Sequence, residues 1–440
     1  MKFDIDMLMV YPRPTKDSPV KLTPLSILYP GVWHQSKGLN VEYFDQRFDD
    51  ISLFDELVSR SKEIGVSAMT GYQCGQAAYL LKRAKKNNPR IIAGVGGHHA
   101  RLMPEQVLNE EFVDKVWTGQ YGLDLFPYDE KTKIHFKRTD LQYMTSTGCP
   151  FACRFCAVSE AWHPFCLDKI KKELQTIYDD KPFDRISFAD PNIAFNKYKE
   201  NGKWIAVDPL ERISKLGKIM NDLHVTWEGN MRCPDITPQM VDVLVKANCT
   251  DLEFGCESGD EQILKNIVKK GHGVEAIKNA VRNISGSGIS VVYSFIAFMP
   301  GESFDQVKKT MDLIDWIVET DSLARTSIYN YAPYPGTPMY SDAVEGKYGY
   351  KNFIPPDTME DWAHYNPMSS PIYWITGLNF RMDNTRKNFP GSDWHKIEPY
   401  VKLAQKKWAS RDVLEFPCEE VEKLIEIQVM KSDQEYKNRS

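Results

Sequence analysis

The stretch Thr147-Gly148-Cys149-Pro150-Phe151-Ala152-Cys153-Arg154-Phe155-Cys156 decides how the rest of this 440-residue chain is read. Its three cysteines stand at the spacing C-x3-C-x2-C, opened by a Gly-Cys-Pro turn and with an aromatic directly before the last thiol. Thiolates are soft ligands that suit iron–sulfur clusters, and a four-iron cluster ordinarily takes four of them. This loop supplies three, Cys149, Cys153 and Cys156, so the fourth iron is left for a small chelating ligand. Nine cysteines in 440 residues are too few for a disulfide scaffold, and the clustering of three of them points to metal or redox chemistry. The others, Cys74, Cys166, Cys233, Cys249, Cys256 and Cys418, are scattered singly and read as small buried hydrophobes.

Working outward from the loop, strand and helix patterns alternate on both sides. Downstream, the expected elements are a strand over Leu141–Ser146, a helix over Asp168–Tyr178 and strands over Arg185–Ala189, Val225–Glu228, Asp251–Phe254, Ser290–Phe298 and Thr326–Tyr331. Six strand–helix units fall short of a full eightfold barrel and predict a partial, open (β/α)6 barrel. Upstream, short apolar strands over Phe3–Tyr11, Val41–Phe44, Ile64–Met69, Arg90–Val95 and Val113–Trp117 are separated by helical stretches. That pattern describes an α/β, doubly wound, Rossmann-like domain whose ligands sit beyond the carboxyl ends of its strands. A polar joint over Asp124–Asp140 links the two. After Pro333-Tyr334-Pro335-Gly336-Thr337 the strand pattern gives way to aromatics and to amphipathic helices near Tyr400–Trp408 and Cys418–Met430, a mainly helical region. The expected domains are therefore 1–130, 141–340 and, as a lid and substrate region, 341–440.

Lysine plus arginine number 55 against 60 aspartate plus glutamate, a net charge of -5, so no global basic field recommends a nucleic-acid partner. No apolar run approaches the length of a membrane span. The start, Met1-Lys2-Phe3-Asp4-Ile5-Asp6, lacks the pattern of a signal peptide, and the expected location is cytoplasmic.

In this order of elements, residues 141–340 resemble the radical S-adenosylmethionine (SAM) superfamily. The motifs that carry the resemblance are the cysteine loop with Phe155, then Phe188-Ala189-Asp190-Pro191-Asn192, then Gly255-Cys256-Glu257-Ser258-Gly259 with Leu264-Lys265. Phe298-Met299-Pro300-Gly301-Glu302 and Pro333-Tyr334-Pro335-Gly336-Thr337 complete the set. The resemblance implies a 4Fe-4S cluster on Cys149, Cys153 and Cys156, with SAM as the chelating ligand of the open iron. It also implies Phe155 near the adenine, Glu257 on the SAM amino group, and Asp190 and Arg232 lining the same cavity. An electron donor such as flavodoxin or ferredoxin is implied as a partner.

The upstream domain resembles the cobalamin-binding domain of the subfamily that includes class B radical SAM methyltransferases and the anaerobic magnesium-protoporphyrin ester cyclase. Pro24-Leu25-Ser26-Ile27-Leu28-Tyr29, Val66-Ser67-Ala68-Met69-Thr70, Val95-Gly96-Gly97-His98-His99-Ala100 and Gly119 carry that likeness. It implies cobalamin at Ser67, Thr70, Gly71, Gly96, Gly97, His98 and Gly119. The D-x-H-x-x-G motif, whose histidine ligates cobalt in cobalamin mutases, is absent, and Gln120-Tyr121 stand where many relatives show Gly-Glu-Gly-Glu. No G-x-G-x-x-G follows the first strand, which argues against a dinucleotide. The implied activity is transfer of a methyl group from methylcobalamin to an unactivated carbon of a small-molecule or peptide substrate, after hydrogen abstraction by a 5'-deoxyadenosyl radical. A non-methylating cyclase or rearrangement enzyme with the same cofactors is the alternative; a non-catalytic iron–sulfur protein is the reading from another class.

Overall fold

The computed structural model describes residues 3–15, 21–158, 160–297, 299–347, 353 and 355–364. Its described residues divide into two compact units, one drawn from the stretches 3–144, 166–187 and 355–364 and the other from 145–165 and 188–353.

The first unit carries a five-stranded parallel sheet. Its strands are β1 (Ile5–Tyr11), β2 (Val41–Asp45), β3 (Ser61–Ser67), β4 (Ile92–Gly96) and β5 (Lys115–Val116), in the order β2-β1-β3-β4-β5. Most of Ile5–Tyr11 is buried, the near-continuous apolar run of a strand covered on both faces. The helices Leu25–Ser36, Ile51–Arg60 and Tyr72–Asn87 follow β1, β2 and β3. β5 is shorter than the expected Val113–Trp117, because the backbone N–H of Val113 closes a turn onto Glu110 at 2.9 Å before pairing with β4 begins. The expected polar joint is structured: the helix Lys133–Arg138 buries His135 and Phe136. A short helix from the far end of the chain, Met359–His364, also belongs to this unit. Trp362, expected in the C-terminal lid, is fully buried here and donates its indole N–H to Gln106 at 2.6 Å. Gly75 makes the contact possible, since a Cβ there would lie 2.5 Å from the Cβ of Ala363.

The remaining strands are β6 (Gln142–Tyr143), β7 (Ser146–Thr147), β8 (His163–Pro164), β9 (Arg185–Phe188), β10 (Lys197–Glu200), β11 (Lys203–Ala206), β12 (Thr226–Met231), β13 (Cys249–Glu257), β14 (Ser290–Ala297) and β15 (Ala324–Asn330). Six of them form one sheet in the order β15-β14-β13-β12-β9-β6, the strand count expected of the partial barrel. The single strand expected over Leu141–Ser146 is split, because Thr145 turns its backbone N–H to the Asp190 carboxylate at 2.9 Å instead of to a neighbouring strand. β7 and β8 pair antiparallel and bracket the cysteine loop. The hairpin β10–β11 follows Asp190 and has no counterpart in the sequence expectation. The helices expected near residues 400–408 and 418–430 lie outside the described residues. No helix among the described residues is long and apolar enough to cross a membrane.

Candidate active site

The cysteine loop is fixed at both ends by its backbone. Gly148 adopts φ +71°, and a Cβ there would sit 2.2 Å from the carbonyl of Ala161, so only glycine makes this turn. Cys149 then donates its N–H to Glu160 (2.9 Å), Arg154 donates to Val268 (3.0 Å), and Met339 donates to the carbonyl of Arg154 (3.2 Å). The Arg154 guanidinium pairs with Asp342. Cys149, Cys153 and Cys156 are free, partly buried thiols. Burial pushes all three above the ordinary thiol range, and the Lys270 ammonium pulls each back. Among the described residues no three acidic, histidine or cysteine groups gather as a single ion needs. Three soft thiolate donors on one loop suit three corners of an iron–sulfur cube.

Glu257 ends β13 at a shift in register with β14, between Gly255 and Glu257. Its φ of +67° is costly for a residue with a side chain. That turn aims its carboxylate at Lys270, with Oε1 to Nζ at 2.6 Å and side-chain exposures of 6% and 11%. A Cβ on Gly255 would stand 2.5 Å from that Oε1 and 2.7 Å from that Nζ, so the first glycine of the motif makes room for the pair. The second glycine, Gly259, admits the helix Phe304–Thr320, since a Cβ there would meet the Lys309 carbonyl at 2.4 Å. Lys270 arrives by an unusual route. Ile263–Val268 is wound as a π-helix, a form that recurs at functional sites. Lys269 then takes a left-handed conformation, and the N–H of Lys270 bonds back to Leu264 at 3.1 Å. Burial works against the Lys270 charge, but Glu257 and Cys153 outweigh it and hold the ammonium well above its ordinary value.

The other residues expected here divide by what they touch. The Arg232 guanidinium lies 3.4 Å from the centre of the Phe151 ring and donates to the Lys270 carbonyl at 2.6 Å, and its buried Nε has no hydrogen-bond partner among the described residues. Phe155 packs against the core of Ile263, Val268, Met299 and Met339, with Lys270 Nζ 5.8 Å from its ring centre. Glu257, Arg232 and Phe155 thus converge with the cysteines on Lys270. Asp190 is engaged differently. It is fully buried and accepts from the Thr145 N–H (2.9 Å), the Thr145 hydroxyl (2.8 Å) and the Ser146 hydroxyl. Burial raises its pKa, against the pull of those three bonds. In this arrangement Asp190 positions the strand that leads into the cysteine loop. Cys233 and Cys256 face each other, sulfur to sulfur, at 3.8 Å in the core. Cys166 is exposed at the start of the helix Leu167–Asp180.

The first unit holds a separate cleft at the carboxyl ends of β1, β3 and β4. It spans about 460 Å³, open to solvent, and is lined by Ser67, Gly96, Gly97 and Gly119 among the expected residues. Ser67 Oγ donates to Ser26 Oγ at 2.9 Å on its wall. Trp117 and Tyr121 line it as well, and sequence reasoning missed both. The clue to Trp117 was the run of glycines: a Cβ on Gly94 would meet its ring at 2.3 Å, and one on Gly65 at 3.4 Å. Tyr121 packs at a tilt against Trp33, ring centres 5.0 Å apart, and Gly119 leaves room for its ring. Thr70, Gly71 and His98 do not line the cleft. Gly71 turns at φ +109° before the helix Tyr72–Asn87, and the Thr70 hydroxyl bonds His99 Nδ1 at 2.9 Å. His98 Nδ1 lies 3.0 Å from the Arg101 guanidinium. Burial, with Arg101 acting on His98 and His98 on His99, lowers both imidazoles to about 4, so both are neutral at pH 7.

Gly97 gives the cleft a direct test. It sits at φ +87°, and a Cβ would lie 2.8 Å from the Ala68 carbonyl, whereas Gly38 at φ +82° has nothing within 4 Å. Gly97→Ala is expected to cost about 1–3 kcal/mol in urea unfolding and to weaken cobalamin retention. Gly38→Ala should cost about 1 kcal/mol and leave cobalamin binding intact. Equal effects from the two substitutions would mean that the cleft geometry at Gly97 is not critical.

The model of the radical SAM superfamily matches residues 143–314, and that of the B12 binding domain matches residues 17–120. A tRNA-2-methylthio-N(6)-dimethylallyladenosine synthase of Aromatoleum aromaticum is 31% identical over 343 residues, covering 69% of this chain and 69% of that protein. An uncharacterized methyltransferase of Pyrococcus horikoshii is 26% identical over 339 residues, covering 64% of this chain and 69% of its own length. In fold, the chain is similar to the cobalamin-dependent SAM radical enzyme OxsB, solved with aqua-cobalamin and SAM bound, at a TM-score of 0.65 and 15% identity over 97% of this chain and 72% of that one. With a B12-binding domain ahead of the cysteine loop and its glutamate, the chain belongs to the radical SAM superfamily, as a cobalamin-dependent member whose cofactors are a 4Fe-4S cluster, SAM and cobalamin.

Proposed function

We propose that this enzyme transfers a methyl group to an unactivated carbon of a small-molecule or peptide substrate. The observation that carries the reading is the presence, in one chain, of a three-thiol loop converging on Glu257 and of a glycine-floored cleft in a B12-binding domain. When bound, the cluster and SAM supply a hydrogen-abstracting radical, and cobalamin supplies the methyl group. Cys149, Cys153 and Cys156 hold the cluster. Glu257 takes the SAM amino group, its carboxylate aimed and its charge offset by Lys270. Arg232, stacked on Phe151, and Phe155 close the same cavity, and Asp190 fixes the approach to the loop. In the first unit Ser67, Gly96, Gly97 and Gly119 accept part of cobalamin, while Thr70, Gly71 and His98 shape the loops beside them. The chain runs as a cytoplasmic enzyme and draws its electron from a flavodoxin or ferredoxin.

The test is product analysis. Protein reconstituted anaerobically with iron, sulfide and hydroxocobalamin should retain one cobalamin per chain. With SAM and a reductant it should release both S-adenosylhomocysteine and 5'-deoxyadenosine. Release of 5'-deoxyadenosine alone would replace methyl transfer with a non-methylating radical reaction.

A further inference from the structure

The hairpin β10–β11 is unlike the rest of its unit. Its register pairs Lys199 with Trp204 and Tyr198 with Ile205, and Asn201 and Gly202 make the turn at positive φ. Strand alternation therefore places Lys197, Lys199 and Trp204 on one face and Tyr198 and Ile205 on the other. The inner face is anchored. Tyr198 packs edge-on against His163 at 5.2 Å and Trp162 at 6.4 Å, and Phe195, just before the hairpin, packs against Phe151 of the cysteine loop at 5.5 Å. His163 pairs across β8 with Thr147, which leads directly into Gly148 and Cys149. The outer face is exposed among the described residues: Trp204 is 64% exposed, the largest exposure of any large hydrophobic residue among them. Lys197 Nζ lies 4.9 Å over its ring, and no ion pair among the described residues neutralises Lys197 or Lys199.

An exposed tryptophan framed by two lysines, on a chain of net charge -5, is a local basic spot with an anchor residue at its centre. Its root touches the loop that carries the cluster. Encounters between redox proteins are small and transient, and charge complementarity speeds them more than it tightens them. A face of this size and sign fits that role. Two lysines are too few for the positive groove that tracks a nucleic-acid backbone.

We propose that Lys197, Lys199 and Trp204 form the docking surface for an acidic one-electron carrier protein that reduces the cluster. In the step, the carrier loses one electron and the cluster gains it, with no bond made or broken. The proposal rests on the reading that Cys149, Cys153 and Cys156 hold that cluster.

The test uses the full-length reconstituted protein and a reduced, acidic flavodoxin as the probe, with bleaching of the cluster's visible absorption as the readout, in the absence of any methyl acceptor. K197E/K199E should slow reduction by flavodoxin about tenfold or more at low salt and reverse its dependence on ionic strength, because like charges then face each other, while reduction by dithionite is unchanged. Trp204→Ala should slow the flavodoxin reaction but keep its salt dependence. An unchanged flavodoxin rate in both variants overturns the proposal, as does equal slowing with both reductants. Binding of a single-stranded RNA oligonucleotide to the parent but not to K197E/K199E, with the flavodoxin rate unaltered, would assign the face to nucleic acid instead. A parent protein with no cluster absorption would overturn the cluster reading itself, a result distinct from any hairpin effect.

Discussion

Cys153→Ala, reconstituted with iron and sulfide, is expected to show no violet absorption of a four-iron cluster and to release no 5'-deoxyadenosine from SAM. The loss should be complete rather than partial, because no other cysteine among the described residues is disposed to replace the thiolate. Cys166 is exposed at a helix start, and Cys233 and Cys256 lie sulfur to sulfur at 3.8 Å inside the core. Burial raises the Cys256 thiol well above its ordinary value, which suits an inert packing residue. Cys233→Ser is accordingly expected to retain the cluster. Cobalamin titration of Cys153→Ala separates a lost ligand from a lost fold. Among the described residues the cleft is lined by residues between Met9 and Tyr121, so the variant should still bind one cobalamin per chain. A variant that keeps its cluster absorption would remove Cys153 from the ligand set.

The residues that could be read from sequence are those whose chemistry is tied to a spacing. C-x3-C-x2-C needs no tertiary knowledge, and glycines placed around a glutamate announce a crowded carboxylate. The structure adds why each glycine is there: Gly255 for the ion pair, Gly259 for the helix against it. Lys270 was invisible because it stands 13 positions beyond Glu257, across a π-helix and a left-handed turn that no periodicity signals. Trp117 was hidden in what looked like a strand end, although Gly65 and Gly94 had been emptied to receive its ring. The helix Met359–His364 has six residues, too few for a hydrophobic period to reveal which unit it joins. Asp190 shows the opposite difficulty. A strand-end aspartate looks the same in sequence whether it faces a ligand or, as its three hydrogen bonds show here, the backbone and hydroxyls of Thr145 and Ser146.

The ion pair of Glu257 with Lys270 leads to the other large effect. Both side chains are nearly excluded from water, and breaking such a pair by removing one partner strands a buried charge, at a cost of about 3–5 kcal/mol. Lys270→Met is therefore expected to destabilise the cluster-free protein by about that amount in urea unfolding. Removing both charges together costs far less than the sum of the single changes, because neither charge is then left alone. The double variant Glu257→Gln with Lys270→Met should thus recover more than half of the loss. Stability alone does not separate a structural pair from a ligand-holding one, but SAM affinity does. If the Glu257 carboxylate receives the SAM amino group, Glu257→Gln weakens SAM binding to the reconstituted protein by about 1.5–3 kcal/mol, the worth of a hydrogen bond to a charged group. That corresponds to a Kd raised roughly tenfold to more than a hundredfold. Equilibrium dialysis with radiolabelled SAM measures it without turnover. An unaltered Kd alongside the expected loss of stability would leave Glu257 as a structural partner of Lys270 and move the amino-group contact elsewhere in the cavity.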